Sequence, residues 1–260
     1  MICLTAFITS FILCLAKAES VLPERPVISP RIYGGREISI QKLGGYAVQI
    51  YLRHKLICGG TLVSSRYIVT AAHCFAATAD YTKYHVVAGE TELTTYFPTE
   101  DSKNTILKLK IHPRYKKTEF IADIAVASLS IPYAKPAVNY LPLCSRKPSS
   151  GDRATVSGWG VSDYYKDTLR VLKVPLIAKA ECNQKMQRTM PQNVLCAAGY
   201  NGRTLCNGDS GGALVINGEL CGISTWTAQC GNRVMPDVFM SVYYYRDFIK
   251  ETIADMRKHK

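Results

Sequence analysis

The chain has 260 residues, 47% hydrophobic and 20% charged, which is enough apolar material for one or two globular domains and excludes a disordered or fibrous protein. Thirty-two Lys and Arg against twenty Asp and Glu give a net charge of +12, but the basic residues form no long run and no repeat, so charge alone does not indicate a nucleic-acid partner. Ten cysteines without the close CxxC pairs of a zinc ribbon point to disulfides and an oxidising compartment.

Residues 2–16 are almost continuously apolar, yet short of the roughly 20 residues that span a bilayer. Ala16-Lys17-Ala18 follows as a small-x-small cleavage signal, so residues 1–18 are expected to be a signal peptide and the protein to be secreted, extracellular and without a membrane partner. Cys3 and Cys14 leave with the signal, and the remaining eight of the ten cysteines can all pair. Residues 19–31, with Pro23, Pro26 and Pro30 and no apolar periodicity, read as an extended, exposed linker.

After Arg31 the sequence turns to short runs rich in Val, Ile, Thr and Tyr, at 46–52, 61–70, 84–88, 105–111, 154–156, 170–176, 213–216 and 220–225. Separated by Gly, Pro, Asn and Ser, they predict an all-β sandwich or barrel. Asn217-Gly218 between two apolar runs predicts a two-residue hairpin turn. Only the C-terminus reads as clearly helical: Tyr245, Phe248, Ile249, Ile253 and Met256 form one stripe, expected to dock on the body, opposite Lys250, Glu251, Asp255 and Lys258.

Three separated motifs carry chemistry. Gly208-Asp209-Ser210-Gly211-Gly212 sets a serine in a turn whose glycines let the backbone bend and a substrate approach. Thr70-Ala71-Ala72-His73-Cys74 ends a Val-rich strand with a histidine beside a cysteine, where a disulfide could fix the imidazole; His54, His85, His112 and His259 read as structural. Asp123-Ile124-Ala125-Val126 opens an apolar strand with a carboxylate, which taken alone could merely end a turn.

The order His73, Asp123, Ser210, with Ile32-Tyr33-Gly34-Gly35 after an arginine, Ser157-Gly158-Trp159-Gly160, and Cys206 four residues before the serine, resembles the trypsin/chymotrypsin family of serine endopeptidases over essentially all of residues 32–260. The resemblance implies an all-β fold of two six-stranded antiparallel β-barrels with the active site between them and a C-terminal helix, and a hydrolase without a cofactor. His73 is then the general base and acid, Asp123 its orienting carboxylate and Ser210 the nucleophile, with the backbone N–H groups of Gly208 and Ser210 as the oxyanion hole. It also implies that residues 19–31 are an activation propeptide: an activating protease cuts after Arg31, and the freed amine of Ile32 pairs with Asp209. Family pairing gives Cys58–Cys74, Cys182–Cys196 and Cys206–Cys230, and the even remainder favours Cys144–Cys221 over two free thiols or a link to another chain.

The pocket departs from the family. Thr204 stands six residues before the serine, where trypsin-like members carry an aspartate, and Thr225 stands where the family has a serine that hydrogen-bonds the catalytic aspartate. Thr225, Trp226 and Thr227 form one substrate-binding wall, and Asp237, after Pro236, puts a carboxylate on another. A buried carboxylate must find a donor, raise its pKa or await a cation. Asp237 therefore either restores a preference for Lys or Arg, the favoured reading with a mixed preference included, or shortens the pocket to suit small and medium apolar side chains. The rival class is a non-catalytic homologue acting by binding in a cascade.

Removing Lys17, Arg25, Arg31, Glu19 and Glu24 leaves 29 basic and 18 acidic residues from Ile32 onward, +11, for which a solvated basic surface is the simplest account. Glu90, Glu100 and Asp101 fall near the family's calcium loop without securing its geometry, so no metal is expected. No Asn-x-Ser/Thr acceptor is present. Peptide and protein substrates, protein inhibitors and a monomeric state complete the expectations.

Overall fold

Between residues 46 and 129 the β-branched and aromatic runs close on themselves. The computed structural model describes residues 32, 34–93, 104–160, 168–198, 203–228, 230–231 and 234–258. The N-terminal segment contributes β1 (Arg36–Glu37) and a single helical turn, α1 (Ile40–Leu43). Then β2 (Ala47–Leu52), β3 (Lys55–Leu62), β4 (Tyr67–Thr70), β5 (Tyr84–Ala88), β6 (Asn104–Ile111) and β7 (Ala125–Leu129) form a closed antiparallel barrel in the order β2-β3-β4-β7-β6-β5. Closure removes free strand edges and encloses Val48, Ile50, Leu62, Ile68 and Leu129, all fully buried. The expected single run 61–70 is two strands, because the Ser64 hydroxyl accepts from the backbone N–H groups of Arg66 and Tyr67 and reverses the chain.

The second half builds β8 (Arg153–Gly158), β9 (Arg170–Pro175), α2 (Lys179–Met186), β10 (Val194–Ala197), β11 (Ala213–Ile216), β12 (Glu219–Trp226) and β13 (Asp237–Ser241). These strands and β1 make a curled seven-stranded sheet, β1-β9-β8-β11-β12-β13-β10. It turns back on itself where Ile177 N donates to Cys196 O (3.0 Å) and Ala198 N to Pro175 O (3.3 Å), so the six long strands enclose Leu205, Leu214, Ile223 and Phe239. The double-barrel all-β architecture expected from the sequence is the one found, with β1 added at one edge.

Asn217 and Gly218 both have positive φ, 51° and 79°, and turn β11 into β12 as a two-residue hairpin. The C-terminal helix α3 (Arg246–Lys258) buries Ile249, Thr252 and Met256. It lies on the first barrel: Lys108 Nζ donates to Met256 O (3.3 Å), and Phe248 meets the His112 ring at 4.5 Å. All four expected disulfides are present.

Candidate active site

Histidine 73 sits in a 3-10 turn, Ala72–Phe75, that leaves β4 at Thr70. Ala71 and Ala72 are buried, and the Cys58–Cys74 bridge ties the next residue to β3, so the backbone under the imidazole is held from two strands. Asp123 comes from just ahead of the neighbouring strand of the same barrel, β7, whose Ala125 pairs with Thr70. It clasps His73 at two points: Oδ1 accepts the backbone N–H at 2.8 Å, and Oδ2 lies 2.8 Å from Nδ1. The carboxylate is buried and the imidazole is partly open, with side-chain exposures of 8% and 19%. Ala122, with φ 52°, donates its N–H to the Tyr245 hydroxyl at 2.9 Å, which fixes the loop one residue before Asp123. The nearby Tyr115 hydroxyl is pushed up to about 12 by burial and by the negative charge of Asp123.

Ser210 belongs to the second sheet. Its carbonyl accepts from Gly59 N of β3 at 2.8 Å, and Gly211 N donates to Ser224 O of β12 at 2.7 Å, so the serine turn is stitched between the two barrels. A Cβ at Gly211 would collide with Thr70 Oγ1 and Gly59 O, and its φ of 80° is itself a glycine conformation. Only glycine lets this turn press against the end of β4, three residues before His73. Gly208, with φ 90°, and Ser210 are both partly exposed.

Asp209 is fully buried beneath this turn. Its carboxylate accepts from Gly160 N and Cys206 N, both at 2.9 Å, and meets no cation among the described residues. Burial raises its pKa to about 7, the two N–H groups pull it down, and the charge of Asp237 adds a smaller push upward. Ile32 is also fully buried. Arg31 lies outside the described residues.

At the expected pocket, Thr204 is buried and its hydroxyl accepts from Gly231 N at 2.9 Å. Asp237 is 2% exposed: Oδ2 accepts from Leu205 N at 3.0 Å, while Oδ1 is buried without a hydrogen-bond donor among the described residues. Burial raises this carboxyl to about 6 against the pull of Leu205 N–H and the Thr227 hydroxyl; the hydroxyl's own bond, 3.4 Å, goes to Leu205 O. The hydrogen bond to Asp123 that the family's serine makes at this position is not made by Thr225 among the described residues. The Thr225 hydroxyl donates instead to Val238 O at 3.1 Å, across the β12–β13 pairing. The extra methyl of threonine restricts its side-chain rotamer on a packed strand, and that rotamer serves the neighbouring strand.

Phe120, which the sequence reading did not single out, meets Trp226 edge-on at 5.9 Å, and the Arg188 guanidinium lies 5.0 Å over the Phe120 ring. No periodicity announces this contact, because its three members come from separate parts of the chain: the turn at Phe120, the end of β12 and the segment just after α2. Glu90 pairs with Lys135 at 3.7 Å, and Glu100 and Asp101 fall outside the described residues. The two clusters of metal-type donors among the described residues are each built around a disulfide, whose sulfurs are already bonded.

A His–Asp pair clasped at the end of β4, with a glycine-flanked serine turn packed against that same strand end, is the arrangement of a serine endopeptidase of the trypsin/chymotrypsin type. The comparisons agree: the family model described as Trypsin matches residues 32–249, and the chain belongs to that family. It is 36% identical to Trypsin-3 of Salmo salar over 203 residues, covering 76% of this chain and 83% of that one. It is 31% identical to Seminase of Drosophila melanogaster over 242 residues, covering 91% and 86%. Neuropsin, a serine protease expressed in the limbic system of mouse brain, superposes with a TM-score of 0.75 at 28% identity, covering 85% of this chain and 99% of that one.

Proposed function

We propose that the protein is secreted as a zymogen and, once cut after Arg31, hydrolyses peptide bonds through an acyl-enzyme on Ser210. In this reading residues 1–18 are the signal peptide, 19–31 the activation propeptide and 32–260 the protease domain, acting as a monomer on protein substrates and open to protein inhibitors. The observation that carries the mechanism is the two-point clasp of Asp123 on His73, at 2.8 Å each. With Nδ1–H donating to Asp123, Nε2 is free to accept a proton.

The Ser210 hydroxyl is too weak an acid to attack unaided, so His73 Nε2 takes its proton as Oγ bonds to the carbonyl carbon. Asp123 stabilises the imidazolium, and the N–H groups of Gly208 and Ser210 receive the oxyanion; one such donor is typically worth about 3 to 4 kcal/mol of barrier. Collapse breaks the C–N bond, and the leaving amine takes the proton from His73. Water then gives its proton to His73 as it attacks the acyl carbon; collapse breaks the C–Oγ bond, and His73 returns the proton to Ser210 Oγ. Activation works by charge: in the uncut chain the Ile32 nitrogen is an amide, and the cut turns it into an amine that can neutralise the buried carboxylate of Asp209.

For the pocket, we favour a cationic or mixed preference, because Asp237 keeps one buried oxygen unmatched. A fluorophosphonate probe applied after cleavage at Arg31 tests the whole reading. Wild type should be labelled and Ser210→Ala spared, with hydrolysis reduced on the order of 10⁵-fold or more. Absence of label on the cut wild-type chain would return the protein to the binding class.

A further inference from the structure

Away from the catalytic seam, a groove of about 810 Å³ runs between α1 and residues 139–141 on one side and β1 and β9 on the other. Its rim carries Arg36, Lys42, Lys173 and Arg203, all exposed, and no acidic residue among the described residues lines it. None of the four pairs with a carboxylate among the described residues. That is not the rule on this surface: Arg170, one strand position from Val171, is neutralised by Glu37 at 2.9 Å, and Arg146 by Asp152 at 2.8 Å. Four like charges left together around one concavity repel one another, and the arrangement is relieved by an anionic ligand.

The cations stand on fixed backbone. Arg36 is paired with Val171 in the β1–β9 ladder, and Lys173 projects from β9 two residues beyond Val171, on the same face. The Arg203 methylenes lie so close to Gly34, whose φ is 75°, that a Cβ there would overlap them. The floor differs in character, being made by the buried side chains of Tyr46, Leu141 and Val171. A bare polyanion would satisfy the rim and leave this floor unmatched. Carboxylates flanking an apolar side chain satisfy both.

We infer that this groove is a docking site for an acidic segment of a partner protein, with one apolar side chain seated on the Tyr46–Leu141–Val171 floor and carboxylates against Arg36, Lys42, Lys173 and Arg203. The inference does not depend on the proposed catalytic roles, since binding is measured on the full-length Ser210→Ala chain. The probe is the fluorescein-labelled peptide Gly-Glu-Asp-Phe-Asp-Glu-Gly, followed by anisotropy in physiological salt. Arg36→Glu with Lys173→Glu should weaken binding about tenfold or more. Lys250→Glu with Lys258→Glu, an equal change of net charge on the exposed side of α3, should change it less than about twofold. Should the first pair fail the thermal-unfolding check, Lys42→Glu on the opposite wall decides the matter with an expected loss of about threefold or more. No binding, or equal losses for the two pairs, overturns the site. A heparin hexasaccharide, or the probe with Phe replaced by Gly, binding as tightly as the original probe overturns the protein partner in favour of a bare polyanion.

Discussion

In the proposed specificity pocket, Asp237 is the residue whose consequence is most directly measurable. The usual position for a cation-binding carboxylate holds Thr204, whose hydroxyl is already engaged by Gly231 N at 2.9 Å. In the proposed pocket the carboxylate is that of Asp237, held by Leu205 N next to Thr204, where burial raises its pKa to about 6. At pH 5 this acid is mostly neutral and at pH 7 mostly ionised, so a Lys or Arg side chain gains a partner only as pH rises through that range. A charged hydrogen bond of this kind is worth about 1.5 to 3 kcal/mol, or roughly ten- to a hundredfold in selectivity. The ratio of kcat/KM for a Lys substrate to that for a Leu substrate should therefore climb about tenfold between pH 5 and 7. His73 serves both substrates and cancels from the ratio. Asp237→Gly should flatten the profile and lower its upper end; a wild-type ratio that stays near one across this range would leave the small-pocket alternative.

At the scale of elements, the C-terminal helix does more than cover the first barrel. Tyr245, immediately before α3, is 4% exposed, and its hydroxyl accepts from Ala122 N–H, so the helix anchors the loop that delivers Asp123. Tyr245→Phe removes that acceptor and leaves a buried donor unpaired, at a cost of about 1 to 3 kcal/mol. A lower Tm is expected together with a several-fold fall in kcat and little change in KM, since the loop positions the carboxylate and does not touch substrate. Unchanged kcat with a lowered Tm would confine Tyr245 to a structural role. The sequence announced the helix through its apolar stripe, but it could not announce this bond, which joins residues 123 positions apart. Nor did it announce α2, where only Cys182 and Met186 are buried and no stripe exists to be read; the Cys182–Cys196 bridge holds that helix in place. The 217–218 hairpin was legible because its turn chemistry is local, whereas the destination of the Thr225 hydroxyl was not, because it depends on which strand lies alongside. His73, Asp123 and Ser210 were read for a different reason: each motif is weak alone, and it is their order together, with the flanking glycines and cysteines, that resembles the trypsin/chymotrypsin family.

For the whole molecule, cleavage at Arg31 should remove much of the loss of stability that rising pH causes in the uncut chain. In the uncut chain Asp209 is buried with no cation among the described residues, and its pKa stands at about 7 against 3.8 for the free group. Between about pH 4 and pH 7 the folded state therefore keeps a proton that the unfolded state has released, so folding is increasingly penalised as pH rises through this window and the penalty is constant above it. Asp237, raised to about 6, acts in the same direction over the lower part of the window. The Asp209 share is a few kcal/mol at most, which for a chain of this size is on the order of 10 °C in Tm. Once Ile32 carries a free amine that pairs with Asp209, the ionised carboxylate is favoured and that penalty disappears, until pH rises far enough to discharge the amine. Thermal unfolding of Ser210→Ala, which prevents self-digestion, should show the gap between cut and uncut chains widening from pH 5 to pH 7.5. Asp209→Asn carries no titrating group at this position and should hold the gap constant. If the gap is independent of pH in the parent chain, or persists unchanged in Asp209→Asn, then the buried carboxylate is not what the new amine neutralises, and activation must draw its energy from other contacts.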